Sequence, residues 1–171
     1  MPVPTENPTP KRLKILSAEE IEVIYGRPCF SPEERMEYFA LSPPEMAAME
    51  QLHSIKSRIY FILQLGYFKA RHLFFVFSLR DVEEDAKHIQ VYYFPTFSLT
   101  EFDITKVTRL RQRQLILDLF NYRACDTEER YKLEMRARFA ARVSSQPIYV
   151  FRELMNTFTE QRILALSYSS L

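Results

Sequence analysis

The sequence predicts an all-α protein, a two-lobed helical bundle with helix-turn-helix-like elements. Three observations support this class. Serine is followed three residues later by glutamate at three successive segment starts, a pattern typical of a helix N-terminus. Apolar residues in the later segments recur with a helical period of three or four. The chain has only two glycines in 171 residues, whereas tight β-hairpin turns depend on glycine for positive φ.

The first lobe is predicted to cover residues 13–98, after a disordered, proline-rich tail at residues 1–12. Its first three helices are short and begin at Ser17, Ser31 and Ser42. The central helix of the chain is expected over residues 55–68, where almost every side chain from residue 59 is apolar or a tyrosine. An apolar stripe on one side is typical of a surface helix, so this all-round pattern predicts a helix covered on most sides.

The remaining elements follow from helix start and stop signals. Residues 73–79 are aromatic and are predicted to form either a strand or a buried connector. Asp81 is expected to cap the next helix, which Pro95 ends. The second lobe, residues 99–171, is predicted to hold three helices that start at Thr105, Asp126 and Pro147.

Several classes of protein are excluded or disfavoured. Phosphate-binding glycine loops and nucleophile elbows need several glycines in one turn, and Gly26 and Gly66 are far apart. Cys29 and Cys125 lie outside any Cys-x-x-Cys pattern, which favours two free thiols. No histidine spacing suits zinc. We therefore expect no metal site, no cofactor and no catalytic activity, and no apolar run has the roughly 20 residues that a membrane span needs.

The net charge is only +1, so nucleic-acid binding would require that charge be segregated. Segregation is present in the helix that follows Thr105, where the first half is rich in arginine and glutamine and the second half is apolar. Arginine and glutamine are suited to guanine and adenine in the major groove. The candidate residues in this half-helix are Lys106, Arg109, Arg111, Gln112, Arg113 and Gln114.

Further cations at the ends of the central helix are candidates for phosphate contacts, namely Lys56, Arg58, Lys69 and Arg71. The helix after Asp126 adds a second basic face around Arg136, beside apolar Leu133, Phe139 and Val143. An alternative remains open for all of these cations. They could form an ordinary solvated surface that pairs with neighbouring acids.

Five segments in the same order carry a resemblance to a known family. They are ILSAEEIEVIYGRPCFSPEER, SIKSRIYFILQLGYFKA, LFFVFSLRDVEED, KVTRLRQRQLILDLFNYRACD and PIYVFRELMNTFTEQRILALSYSSL. Together they resemble the amino-terminal region of the Tn-three-type (class II) replicative transposases, over nearly the whole chain after Arg12. Family members often have Pro-Gly after the QLGY-type helix, where this chain has Ala70, Arg71 and His72.

The resemblance implies a helical module that binds the terminal inverted repeats of a transposon. In that family, catalysis belongs to a separate metal-dependent domain with an Asp-Asp-Glu set, which this chain is not expected to contain. The implied partner is double-stranded DNA at transposon ends, with the catalytic portion of the transposase or a second copy as further partners, in the cytoplasm at the nucleoid. The alternative from another class is a helical scaffold for protein assembly, whose basic half-helix docks an acidic protein surface.

Overall fold

The computed structural model describes residues 15–168, which consist of α-helices and their connections. The helices are α1 (Ala18–Tyr25), α2 (Pro32–Tyr38), α3 (Pro43–Glu50), α4 (Ile55–Arg71), α5 (Glu83–Tyr93), α6 (Lys106–Phe120), α7 (Thr127–Val143) and α8 (Pro147–Glu160), with a 3₁₀ turn at Arg80–Val82. Within these residues the only strand-like pairing is an isolated bridge between Arg123 and Ile163. The all-α prediction is confirmed. The predicted tail at residues 1–12 lies outside the described part.

The predicted helix starts are confirmed except the one at Asp81, and side-chain caps account for most of them. Ser17 Oγ accepts a hydrogen bond from the Glu20 amide, and the Glu20 carboxylate accepts one from the Ser17 amide. Ser31 and Glu34 repeat this reciprocal pair at α2. Each such pair satisfies two amides that have no partner inside the helix. Thr105 and Asp126 likewise cap α6 and α7, and α8 starts at Pro147.

The prediction for Asp81 is wrong. Helix α5 begins at Glu83 with Val82 at the N-cap position. The Asp81 carboxylate instead accepts hydrogen bonds from the amide and the hydroxyl of Ser78, both at 2.7 Å, and so closes the turn before α5. Because the local serine competes for the carboxylate, the capping role is lost. The sequence left open whether residues 73–79 form a strand or a connector. They contain neither helix nor strand, so they form a connector.

Helix α4 is the centre of the fold, as predicted. All residues from Ile59 to Phe68 are buried, including Gln64 and Gly66. Helices α2, α3, α5 and α6 pack directly against it. Ile116 and Leu117 of α6 belong to the same buried cluster as the α4 core residues. The main core therefore continues past the boundary that the sequence suggested between residues 98 and 99.

A second buried cluster lies between α7 and α8 and is completed by the segment after α8. Its central residues are Leu133, Leu154, Phe158 and Ile163. A third small cluster joins α1 to α8 through Leu16, Ile24 and Phe151. The Leu16 amide also donates a hydrogen bond to the Tyr168 hydroxyl at 3.2 Å. The first and last described elements are thus packed together.

Helix α4 is capped at its C-terminus by His72, at a position where glycine is common because the backbone is left-handed. His72 adopts a left-handed conformation with φ of 55° and its amide bonds the Phe68 carbonyl. A non-glycine residue rarely adopts this conformation. The His72 ring stacks on Tyr122 at 5.7 Å between ring centroids, which offsets part of the cost.

Gly66 is required by close packing between α4 and the end of α2. A Cβ atom at this position would lie 2.5 Å from two ring carbons of Phe39 and 3.3 Å from the Tyr38 carbonyl oxygen. Phe39 is itself 1% exposed, so its ring has little freedom to move. Close contact between the two helices therefore depends on the missing side chain.

We expect Gly66→Ala to lower the free energy of unfolding by about 1–3 kcal/mol, because overpacking outweighs the gain in helix propensity. Urea denaturation measures the change. In a Phe39→Leu background the same substitution should cost much less, because the smaller side chain leaves room for the methyl group. An equal cost in both backgrounds would show that Phe39 is not the obstacle.

Candidate nucleic-acid interface

Helix α6 is anchored to α4 by one face. Ile116 and Leu117 enter the main core, and Gln112 is 0% exposed. The Gln112 amide nitrogen donates hydrogen bonds to the Ser57 carbonyl at 2.9 Å and to the Ser57 hydroxyl at 2.8 Å. Because the Ser57 carbonyl only accepts, this contact fixes the orientation of the amide. Gln112 was a candidate DNA contact, and the structure places it inside the fold as a link between α6 and α4.

The front half of α6, Lys106 to Gln114, carries positive charge with no acidic residue in the same half of the helix. No acidic residue occurs from Lys106 to Gln114. Within residues 15–168, none of the four cations in this span has an ion-pair partner within 4.0 Å. Two of them, Lys106 and Arg109, lie in the first turn of α6, at the positive end of the helix dipole, where each cation costs roughly 0.3–1 kcal/mol. This arrangement favours an anion bound from outside.

The four cations occupy two sides of α6. Lys106, Arg109 and Arg113 are spaced for one side of a helix, whereas Arg111 falls on the other. Arg113 packs over the Phe74 ring at 5.3 Å from the centroid. Burial lowers the pKa of its guanidinium, and the charge of Arg109 adds to this effect. Arg111 instead lines a groove of about 550 Å³ between α6 and residues 51–54.

Between these two sides lies the outermost line of the helix, which we call the crest and define as Val107, Leu110 and Gln114. Val107 and Leu110 are each more than half exposed. Gln114 is exposed and its amide donates to the Asp118 carboxylate at 2.8 Å. The crest thus presents two apolar side chains and one amide to solvent. None of its members is charged.

Two of the four candidate phosphate-binding cations on α4, Arg58 and Lys69, contact other parts of the fold. Arg58 donates to the carbonyl oxygens of Leu52 at 2.9 Å and Glu50 at 3.1 Å, which satisfies the end of α3. Lys69 donates to the Ala40 carbonyl at 2.7 Å and forms an ion pair with buried Glu45 at 2.8 Å. Both cations therefore hold the fold together.

Lys56 and Arg71 remain accessible at opposite ends of α4. Lys56 makes only a long ion pair, 3.8 Å, with Glu101 in the segment before α6. Arg71 reaches the Val23 carbonyl at 3.5 Å. They are 15 positions apart, which separates their backbones by roughly 22 Å along the helix. Lys56 is thus close to the start of α6, whereas Arg71 is not part of the same surface.

A surface that the sequence analysis missed lies on α7. Tyr131, Met135, Phe139 and Val143 recur every four residues and are between 49% and 68% exposed. Phe139 and Val143 were noted as apolar partners of Leu133, yet Leu133 alone of the three is buried. The regular spacing from Tyr131 onward was the available signal. It shows that α7 has two apolar faces, of which α8 covers one.

Other kinds of site find no support in the described residues. Between residues 15 and 168 no three His, Cys, Asp or Glu side chains are grouped as metal ligands would be. No helix in that range is long and apolar enough to cross a membrane. Cys29 and Cys125 are both free, as predicted, and burial raises the pKa of the Cys125 thiol.

The fold and this surface define an all-α helical protein with an unbalanced basic half-helix exposed to solvent. The chain belongs to the family described as a domain of unknown function, DUF4158, whose model matches residues 15–171. No curated protein and no solved structure matches it.

The role of Lys69 in the fold leads to a stability prediction. Lys69→Met should lower the free energy of unfolding by about 3 kcal/mol, because it leaves the buried Glu45 carboxylate without its partner. Lys69→Met combined with Glu45→Gln should recover much of that loss, since no unpaired charge then remains. Chemical denaturation of both variants measures the effect.

Lys56→Met is the matched control, because its ion pair is long and exposed and should contribute less than about 1 kcal/mol. Equal losses for Lys56→Met and Lys69→Met would contradict the assignment of Lys69 to the fold.

Proposed function

We propose that this protein is the DNA-binding module of a transposase and recognises the terminal inverted repeats of its transposon. No catalytic step is assigned to its residues. The observation that carries the proposal is the front half of α6, with four cations, no acid and no internal ion pair among the described residues. DNA is the kind of partner that combines dense negative charge with a groove of helical width.

The position of α6 suits this role. Ile116 in the back half and Gln112 in the front half fix α6 to α4, so the helix is anchored by one face while its outer surface stays exposed. Protein cations that replace the counterions of DNA phosphates gain affinity from the release of those ions. The same contact would relieve the unfavourable placing of Lys106 and Arg109 at the positive end of the helix dipole.

The resemblance to Tn-three-type transposases indicates which DNA is bound. The motif KVTRLRQRQ, one of those that carry the resemblance, forms the front half of α6. Sequence-specific binding of transposon ends therefore requires α6 to lie in the major groove. Whether α6 is the second helix of a helix-turn-helix stays a prediction.

The test uses a duplex selected by the protein from a random-sequence pool. We expect the logarithm of the association constant to fall with the logarithm of salt concentration with a slope of roughly −4 to −7, for about four to eight phosphate contacts. Replacing Lys106, Arg109 and Arg111 together by alanine should reduce the size of the slope by about 2–3 and weaken binding at least a hundredfold. Fluorescence anisotropy over a salt series measures both.

Lys87→Ala on α5 is the control, since Lys87 is an exposed cation outside this surface. It should leave the slope and affinity nearly unchanged. A triple variant that folds normally and binds as tightly as the unchanged protein would refute the proposal. Arg113 is left intact in this design because its packing on Phe74 would add a folding effect.

A second candidate function, a helical scaffold for protein assembly, is favoured by the exposed apolar residues of α7. A row of four large apolar side chains on one helix face is an unusual surface for a protein without a partner. Arg136 and Arg142 beside the row have no ion pair within the described residues, whereas Lys132 and Arg138 pair with Glu128 and Glu134. Charge complementarity indicates an amphipathic helix with acidic edges as the partner.

A synthetic amphipathic helix of about 20 residues, with leucines every three or four residues and glutamates along both edges, tests this candidate. It should bind more tightly than the same peptide with lysine edges, and Phe139→Ser should weaken binding at least tenfold by removing a large apolar anchor. Val91→Ser, at another exposed apolar residue, is the control. Equal binding of both peptides would contradict the candidate.

A further inference from the structure

We propose that the crest of α6 reads A·T base pairs, through contact of Val107 and Leu110 with thymine methyl groups and of Gln114 with adenine. This inference rests on the proposed function, because it assigns a base preference to the DNA that α6 binds. It changes the roles expected from the sequence. The arginines of α6 then contact phosphates, and the uncharged crest contacts the bases.

The geometry of α6 carries this assignment. Val107, Leu110 and Gln114 follow one another at intervals of three and four residues, so they form a single line along the helix. Arg109 and Arg113 lie on one side of this line, and Arg111 lies on the other beside the groove with residues 51–54. Arginines therefore border the uncharged crest on both sides, and on the Arg111 side the groove is also lined by Asp103 and Asp118.

The major groove has the complementary arrangement. Its walls are the two phosphate backbones, and at an A·T pair its floor presents the C5 methyl of thymine and the N7 and N6 groups of adenine. A helix that enters the groove with its crest foremost brings cations to both walls and apolar side chains to the floor. Guanine offers only acceptors there, and the crest has no arginine to meet them.

The individual side chains are suited to these contacts. Val107 and Leu110 are each more than half exposed in the free protein, so contact with a methyl group removes apolar surface from water. The Gln114 amide can bond adenine N6 and N7 together. Its present bond to Asp118 is between exposed residues four positions apart, so it can be exchanged at little cost.

Arg113 and Arg109 are less suited to base contact than the sequence suggested. The Arg113 guanidinium packs on Phe74 and its Nε is buried without a partner among the described residues, so the side chain is held away from the crest. Arg109 is partly buried on the same side of α6. On this side of the crest, Lys106 is the exposed cation that can approach a phosphate backbone.

The experiment replaces thymine by uracil, one position at a time, in a duplex that the protein has selected from a random pool. This change removes the C5 methyl group and leaves base pairing intact. We expect at least one position to weaken binding about fourfold, the factor expected when one methyl group is no longer buried. The sensitivity at that position should disappear in Leu110→Ala or in Val107→Ala, because the apolar partner is then missing.

Three results would overturn the inference. Binding with the expected salt slope but without loss at any uracil would leave the proposed function standing and refute the base assignment. A uracil effect that persists unchanged in both alanine variants would place the methyl contact elsewhere. Failure to bind any duplex would refute the inference and the proposed function together. Circular dichroism of the two variants, which alter exposed residues only, confirms that each is folded.

Discussion

The burial of α4 from Ile59 to Phe68 is the constraint on which the rest of the structure depends. A helix that is apolar around its whole circumference must be enclosed, and here α2, α3, α5 and α6 enclose it. Gly66 allows the Phe39 ring to pack close to the backbone of α4. Near the start of α4, the Ser57 carbonyl accepts a hydrogen bond from the Gln112 amide of α6. The orientation of α6, and so the direction in which its cations face, follows from this enclosure. The packing of α6 against α4 therefore determines which of its cations form the basic surface.

Most helix boundaries could be predicted because capping is a local interaction. Ser17, Ser31 and Thr105 each bond an amide three residues ahead, and that pattern can be read from the sequence alone. Asp81 failed for an equally local reason, since Ser78 lies within reach of the same carboxylate. The sequence alone could not decide whether Asp81 caps α5 or accepts hydrogen bonds from Ser78, because both arrangements are short-range contacts of the same carboxylate.

The roles of individual cations could not be predicted, because they depend on contacts between distant segments. Lys69 meets Glu45, which is 24 positions away, and Arg58 reaches carbonyl oxygens at the end of the preceding helix. Gln112 and Gln114 are the same residue type two positions apart, yet one is buried against Ser57 and the other faces solvent. Likewise, only the position of α8 decides which apolar face of α7 is covered. Residue type and spacing predicted a basic helix. Tertiary packing decided which of its polar side chains are exposed to solvent.

The contact between Leu16 and Tyr168 has a consequence for the order in which the chain folds. These residues are 152 positions apart, so α1 reaches its packing site only after α8 and the segment that follows it have left the ribosome. The core around α4 can form earlier, because its members lie between α2 and α6. Closure of such a long loop is entropically costly and slows the steps that depend on it. During synthesis, α1 therefore lacks its tertiary partner, and its apolar face is exposed to chaperones and proteases until α8 emerges.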